Sequence, residues 1–387
     1  MKDWPKVKLA DVAERCLGKM LDARKNKGRL MPYLRNPNVR WFDVDTSELQ
    51  SMPFEDREQE RYGLKAGDIV ICEGGEAGRA AIWDGRLPDL KFQKAIHRVR
   101  PGPRLHNRYF VHQLMADHEA GRLGDYLTGA TIKHFTGQDL ARYRFPLPPL
   151  AEQRRIAEVL DRAEALRAKR RAALAQLDSL TQSLFLDLFG DPVINPKRWP
   201  QKLFSEVGTL DRGASKHRPR KAPELLGGPY PLVQTGEVAN CNGYIREYHS
   251  TYSEVGLRQS KMWPAGTLCI TIAANIAKTG ILTFDACFPD SIVGFRADDP
   301  GTVEFVRSWL SFLQKSLEDA APESAQKNIN LALLRNLAVP LPSIDLQREF
   351  ARRVGIVEKL KTAQWASLAE LDALFATLQH RAFRGEL

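Results

Sequence analysis

Between residues 151 and 189, apolar side chains return at steps of mostly three and four: Ile156, Leu160, Ala163, Leu166, Ala173, Leu177, Leu180, Leu184 and Leu188. No glycine or proline interrupts them, and Gly190-Asp191-Pro192 ends the run. That period predicts one amphipathic helix, roughly 58 Å long at about 1.5 Å per residue. A helix beyond ordinary globular length calls for a partner helix. A second stripe over residues 344–383 supplies one: Phe350, Val354, Val357, Leu360, Leu368, Leu371, Phe375 and Leu378. Gly355 weakens it by about 1 kcal/mol relative to alanine, and Gly385 ends it.

The same stretch precedes both helices. Pro146-Leu147-Pro148-Pro149-Leu150-Ala151-Glu152-Gln153-Arg154 returns, 194 residues later, as Pro340-Leu341-Pro342-Ser343-Ile344-Asp345-Leu346-Gln347-Arg348. Proline fixes φ and bars helix before it, so each helix starts at or after its last proline. A unit repeated at half the chain length implies an internal two-fold relation. The two helices then run antiparallel, as a rod with a globular domain at each end.

The remaining pattern is mixed. Residues 67–72 read as a buried strand, and Gly74, Gly75 and Gly78 form a tight turn back into Ala80-Ala81-Ile82-Trp83. Residues 7–12 suggest a short amphipathic start, residues 95–99 another strand, and residues 108–118 a helix. The second half repeats the order. Trp199-Pro200 echoes Trp4-Pro5, the run from Gly266 echoes that from Gly67, residues 303–313 echo the helix, and Lys327-Asn328-Ile329 echoes Lys133-His134-Phe135. The fold class is therefore α+β: two mixed α/β domains, 1–148 and 191–342, separated by a pair of long antiparallel helices, 149–190 and 343–387, with pseudo-two-fold symmetry.

Composition sharpens this. The chain has 387 residues and a net charge of +10. Residues 1–150 hold 26 basic and 20 acidic side chains, so most of the excess lies there. That balance favours a polyanionic partner, nucleic acid first. Five scattered cysteines without a CxxC read as reduced thiols in a cytoplasmic protein. No signal peptide and no apolar run of membrane length is evident.

The two Pro-Leu-Pro entries, Glu152-Gln153-Arg154 with Ile156-Ala157, Leu346-Gln347-Arg348 with Phe350, the run into Leu184-Phe185 and the segment Gly129-Ala130-Thr131-Ile132-Lys133-His134 resemble the specificity subunit of type I restriction-modification enzymes. The resemblance covers the whole chain. It departs at Ser343-Ile344-Asp345, and Glu323-Ser324-Ala325-Gln326-Lys327-Asn328 matches only loosely. It implies two target recognition domains, each reading half of a split double-stranded DNA sequence, with the helices as spacer. It also implies two modification subunits, which carry S-adenosylmethionine and methylate adenine N6. Restriction subunits would add ATP- and Mg-dependent translocation and cleavage, in defence against foreign DNA. The chain itself would carry no cofactor or metal.

Catalytic motifs do not compete with that reading. Asn36-Pro37-Asn38-Val39 and Asn195-Pro196-Lys197-Arg198 lack the second proline and the aromatic that would hold a flipped adenine, and read as turns. Gly74-Gly75-Glu76-Ala77-Gly78 lacks the GxGxxG order of a dinucleotide loop. No phosphate loop, nuclease carboxylate set or histidine metal spacing occurs. For DNA contact, the candidates are Lys25, Lys27, Arg29 and Arg35 in the first domain. The second has the dense run Arg212, Lys216, His217, Arg218, Arg220 and Lys221, and a hairpin tip with Asn275 and Lys278. Lys133 with His134, and Lys327 with Asn328, hold matching places. Lysine and arginine neutralise phosphates or pair with guanine, and asparagine pairs with adenine; the bland alternative for each is a solvated loop or turn. Arg167, Lys169, Arg170 and Arg171 fit either DNA phosphates or an ordinary solvated helix face. A stand-alone methyltransferase or nuclease, and a pure coiled-coil scaffold, are the rival readings.

Overall fold

Pro146 and Pro340 each end a short strand before a helix begins. Arg144–Pro146 pairs antiparallel with Lys6–Lys8, and Ala338–Pro340 pairs antiparallel with Gln201–Leu203. The leucine between the prolines extends each ladder: Leu147 N–H donates to Pro5 O at 2.9 Å, and Leu341 N–H to Pro200 O at 2.8 Å. The Trp-Pro echo is thus a strand that starts each domain and pairs with the strand that leaves it. The short amphipathic start over residues 7–12 is this strand followed by a 3-10 turn, Leu9–Asp11.

The computed structural model describes residues 4–22, 24–131, 133–217, 219–220, 222–273, 276–319 and 329–387. Two compact units divide the chain: Met1–Arg171 with Ala366–Leu387, and Ala172–Trp365. Each holds one mixed domain and a stretch of both long helices, Leu150–Phe189 and Ile344–Phe383.

The two domains repeat one sheet order. In the first unit it is Ala13–Leu17, Ile96–Pro101, Ile69–Cys72, Ala80–Ile82. In the second it is Thr209–Arg212, Ile292–Arg296, Leu268–Thr271, Thr279–Leu282, with Gly243–Ile245 added in parallel at the edge. The near-continuous apolar strands IVIC and LCIT are buried on both faces, as such runs require. A smaller sheet accompanies each: Arg29–Leu34 between Gln50–Phe54 and Lys91–Phe92 in the first unit, and Leu226–Leu232 between Ser250–Tyr252 and Ala286–Cys287 in the second. Asn107–Glu119 and Pro300–Asp319 are the matching helices.

Within each unit the long helices are antiparallel. In the first, Arg155 donates to Leu387 O at 2.8 Å and Arg167 to Asp372 at 2.6 Å, so rising numbers on one helix meet falling numbers on the other. In the second, Asp178 meets Lys361 at 2.8 Å and the Phe185 ring lies 5.6 Å from that of Phe350. The seam differs from the sequence stripe in one respect. Ile156, Leu160, Ala163, Leu174, Phe185 and Phe189 are buried, whereas Leu166, Leu180 and Leu360 face outward. Arg167 takes the seam position one turn after Ala163, and Leu166 lies outside the seam. Among the described residues no helix is long and apolar enough to cross a membrane.

Candidate nucleic-acid interface

Both helix starts are fastened by the glutamine of the repeated stretch. Gln153 is fully buried and accepts from His106 N–H at 2.8 Å, while its Nε2 donates to Arg104 O at 2.9 Å and Pro148 O at 2.8 Å. Gln347, also buried, donates to Pro342 O at 2.8 Å and accepts from the Thr302 hydroxyl at 2.8 Å. Each amide ties its long helix to the start of the domain helix, and so fixes how the domain is carried.

From that frame, matching loops emerge. Gly18 N–H donates to Ile96 O at 3.0 Å and Gly213 N–H to Ile292 O at 2.9 Å, at the same point of the two sheets. A side chain there has no room: a Cβ on Gly18 would lie 2.2 Å from Gln93 O, and one on Gly213 2.3 Å from Phe288 O. Lys25 and Lys27 lie on the loop that leaves Gly18, and Arg29 opens the strand it enters; of the basic run 212–221, Arg212 ends the strand before Gly213, and Lys216, His217 and Arg220 follow it. Sequence reasoning treated them as unrelated runs; the signal available was a glycine directly after a strand in each half.

The segment that returns beside each hairpin also matches. Phe135 N–H donates to Glu73 O at 2.6 Å, and Ile329 N–H to Ile272 O at 3.0 Å. Thr136 and Asn330 then cap equivalent short helices, accepting from Asp139 and Leu333 N–H.

In the first unit, Lys25, Lys27, Arg29, Lys133 and His134 are exposed, and Arg35 is half-buried. Arg29 stands 3.9 Å from Asp89 and Lys25 3.9 Å from Asp22, both loose exposed pairs. His134 packs against Gly74, where a Cβ would come within 3.1 Å of its Nδ1. Asn36 Nδ2 donates to Gly74 O at 2.9 Å, and Arg79 to Asn36 O at 3.0 Å. The glycine turn, residue 134 and the loop at 35–38 therefore form one locality. Glu73 belongs to it: burial pushes its carboxyl above the usual range, opposed by nearby His134 and Lys94. Glu73, Asn36 and Lys94 are not among the sequence candidates for DNA contact: Asn36 reads there as a turn residue, and no local pattern marks the Glu73 carboxylate or the Lys94 ammonium.

In the second unit, Arg212 and Arg220 line a groove of about 290 Å³ with Ile272, Ala273, Asp290, Ser291, Ile329 and Asn330. The groove thus brings Arg212 and Arg220 of the basic run beside Ile272 and Ala273, which lead out of Leu268–Thr271, and beside Ile329 and Asn330. Arg220 is ion-paired with Asp290, and Lys216 and His217 are exposed. Lys278 is half-buried, its Nζ 3.4 Å from Gln314 on the domain helix. Arg218, Lys221, Asn275, Lys327 and Asn328 lie outside the described residues.

Comparison with known proteins adds an independent line. The family described as type I restriction modification DNA specificity domain matches residues 1–176 and again 196–370. The chain is 25% identical over 364 residues to the type I restriction enzyme EcoBI specificity subunit of Escherichia coli, covering 85% of this chain and 75% of that protein. It is 22% identical over 395 aligned residues to the EcoKI specificity subunit of Escherichia coli K12, with coverage of 93% and 83%. Its fold is similar to the S subunit of a type I restriction-modification system from M. genitalium, with a TM-score of 0.58, 16% identity, and 98% and 96% of the two chains covered.

Proposed function

The chain belongs to the type I restriction-modification specificity subunit family, with the DNA specificity domain present twice, and from that premise we infer that each domain reads one half of a split DNA target. The observation that carries the inference is the doubled interface. Each domain presents a loop leaving a sterically locked glycine, a hairpin and a returning segment, on one frame fastened by one glutamine. The letters on that frame differ, so the two halves of the target differ. Arg29, Lys25 and Lys27 serve phosphates in one half, and Arg212 and Arg220 in the other. His134, Asn36 and Glu73 sit where base edges would be read.

The helices set the unread gap and receive partner helices. Outward-facing Leu166 and Leu374 in the first unit, and Leu180, Leu186, Ile356, Leu360 and Trp365 in the second, are all 40% exposed or more, which suits a bundle with two modification subunits. Those subunits would hold S-adenosylmethionine and methylate adenine, and restriction subunits would supply the ATP- and Mg-dependent cleavage in the cytoplasm. The family is non-catalytic on its own, so the isolated chain transfers no methyl group.

Mapping N6-methyladenine in cells with and without this chain tests the reading. A gapped two-half motif that disappears on deletion is the expected result. An unchanged methylation map, or a motif without a gap, overturns it. Co-elution of the chain with modification subunits on a sizing column checks the docking; separate elution overturns it.

A further inference from the structure

The loop leaving Gly18 carries two large apolar side chains in water. Met20 is 56% exposed and Leu21 57%. Floppiness does not account for it, because the loop is held at both ends. Lys19, immediately before, is buried: its N–H donates to Phe92 O at 3.1 Å, and its ammonium donates to Pro53 O at 2.9 Å and pairs with Glu58 at 2.5 Å. Beyond Leu21, the Asp22 carboxylate accepts from Arg24 and Lys25 N–H at 3.0 and 3.1 Å. Asn26 then reaches back and donates to Met20 O at 3.0 Å. The apolar pair is thus presented by a closed frame, and exposed Lys25, Lys27 and Arg29 follow it. The strand that the loop enters adds Leu30, 68% exposed.

An apolar point fixed in a basic surround matches duplex DNA better than a protein face. Cations take the phosphates on either side, and the apolar side chains enter the minor groove and pry open a single base step. Resting on the DNA-reading function inferred above, we propose that Met20 and Leu21 form a wedge that unstacks a base step in the half-site read by the first domain. Unstacking costs on the order of a few kcal/mol per step and favours easily opened pyrimidine–purine steps, so the wedge selects sequence without touching a base edge. Pre-set geometry limits the ordering cost of insertion. The matching loop after Gly213 has no exposed large apolar residue among those described; Lys216 and His217 stand out there instead. Deformation is therefore confined to one half of the target.

The test uses the full-length chain and a duplex selected by it from a random-sequence library, with 2-aminopurine placed at each step in turn. Binding should raise fluorescence several-fold at one step in one half-site and at none in the other. Met20→Ser with Leu21→Ser should abolish that rise while keeping the salt dependence of binding and the melting temperature. Tight binding with every probe silent overturns the wedge alone. Failure to bind any duplex overturns both the wedge and the DNA-reading function. A variant that keeps the fluorescence rise but loses a modification subunit overturns it too, and makes the pair a protein contact.

Discussion

Arg167 donates from Nε to Asp372 at 2.6 Å, and its guanidinium lies 4.3 Å from the ring centroid of Phe375 one turn further along the same helix. Glu164 takes the other side of the guanidinium. With only 13% of its side chain exposed, Arg167 works as a seam residue. The central basic cluster thus contributes at this position to holding helices together.

Arg167→Ala should destabilise the first unit by about 2 kcal/mol, through lost cation–π contact and a partly buried ion pair. Its DNA affinity should keep the same dependence on salt. Paired thermal melts and binding titrations across salt concentrations check both; a shallower salt slope would return Arg167 to the phosphates.

Arg212→Ala and Arg220→Ala should behave the opposite way. Both side chains are exposed around the second-domain groove, so stability should change little. Each should lower the slope of log K against log salt by about 1. Removing Asp290, which competes for Arg220, should strengthen DNA binding modestly. A slope that stays constant through all three changes would remove the groove from the interface.

Gln153→Ala leaves the buried Pro148 carbonyl and the part-buried His106 N–H and Arg104 carbonyl without this partner, and should cost roughly 2 kcal/mol. Gln347→Ala should cost somewhat less, since the Thr302 hydroxyl can turn to other acceptors. Urea unfolding of each variant gives the comparison; equal wild-type stability in both would show that the clamp is ornamental.

Acid should loosen the first unit before the second. Burial holds the His97 ring down at about 4, while its Nε2–H donates to Phe135 O at 2.9 Å. An unfolded histidine takes its proton near pH 6.5. Between those values the unfolded chain binds the extra proton, so stability falls as pH drops from 6.5 to about 4 and then levels, by about 3 kcal/mol in total. The matching residue of the second sheet is Val293, which does not titrate. Amide exchange at residues 96–101 should accelerate at pH 5 relative to pH 7 more than at 292–296, and His97→Val should remove the difference.

The helices, their repeat and the two-domain order were legible because each depends on period and punctuation, which survive in a single sequence. Leu166 and Leu180 show where that logic stops. Their spacing fits the stripe, yet the buried seam runs through Ala163, Arg167 and Leu174 and leaves both exposed. The proposed interface is legible only in part. Charge marks Arg29, Arg212 and Arg220 as candidates, but Glu73 and Asn36 join the candidate site only through pairing between segments far apart in sequence, and the apolar pair Met20-Leu21 reads as core until its exposure is seen.

Every partner of Gln153 is a main-chain atom: Arg104 O, His106 N and Pro148 O. The joint therefore checks the path of the domain's backbone and is indifferent to its side chains. A foreign domain would find the same three bonds here if its backbone followed the same path and its helix kept partners for Asp161, which bonds Arg108 and His112. The first joint is, in that sense, a socket, whereas the second also asks for the Thr302 hydroxyl.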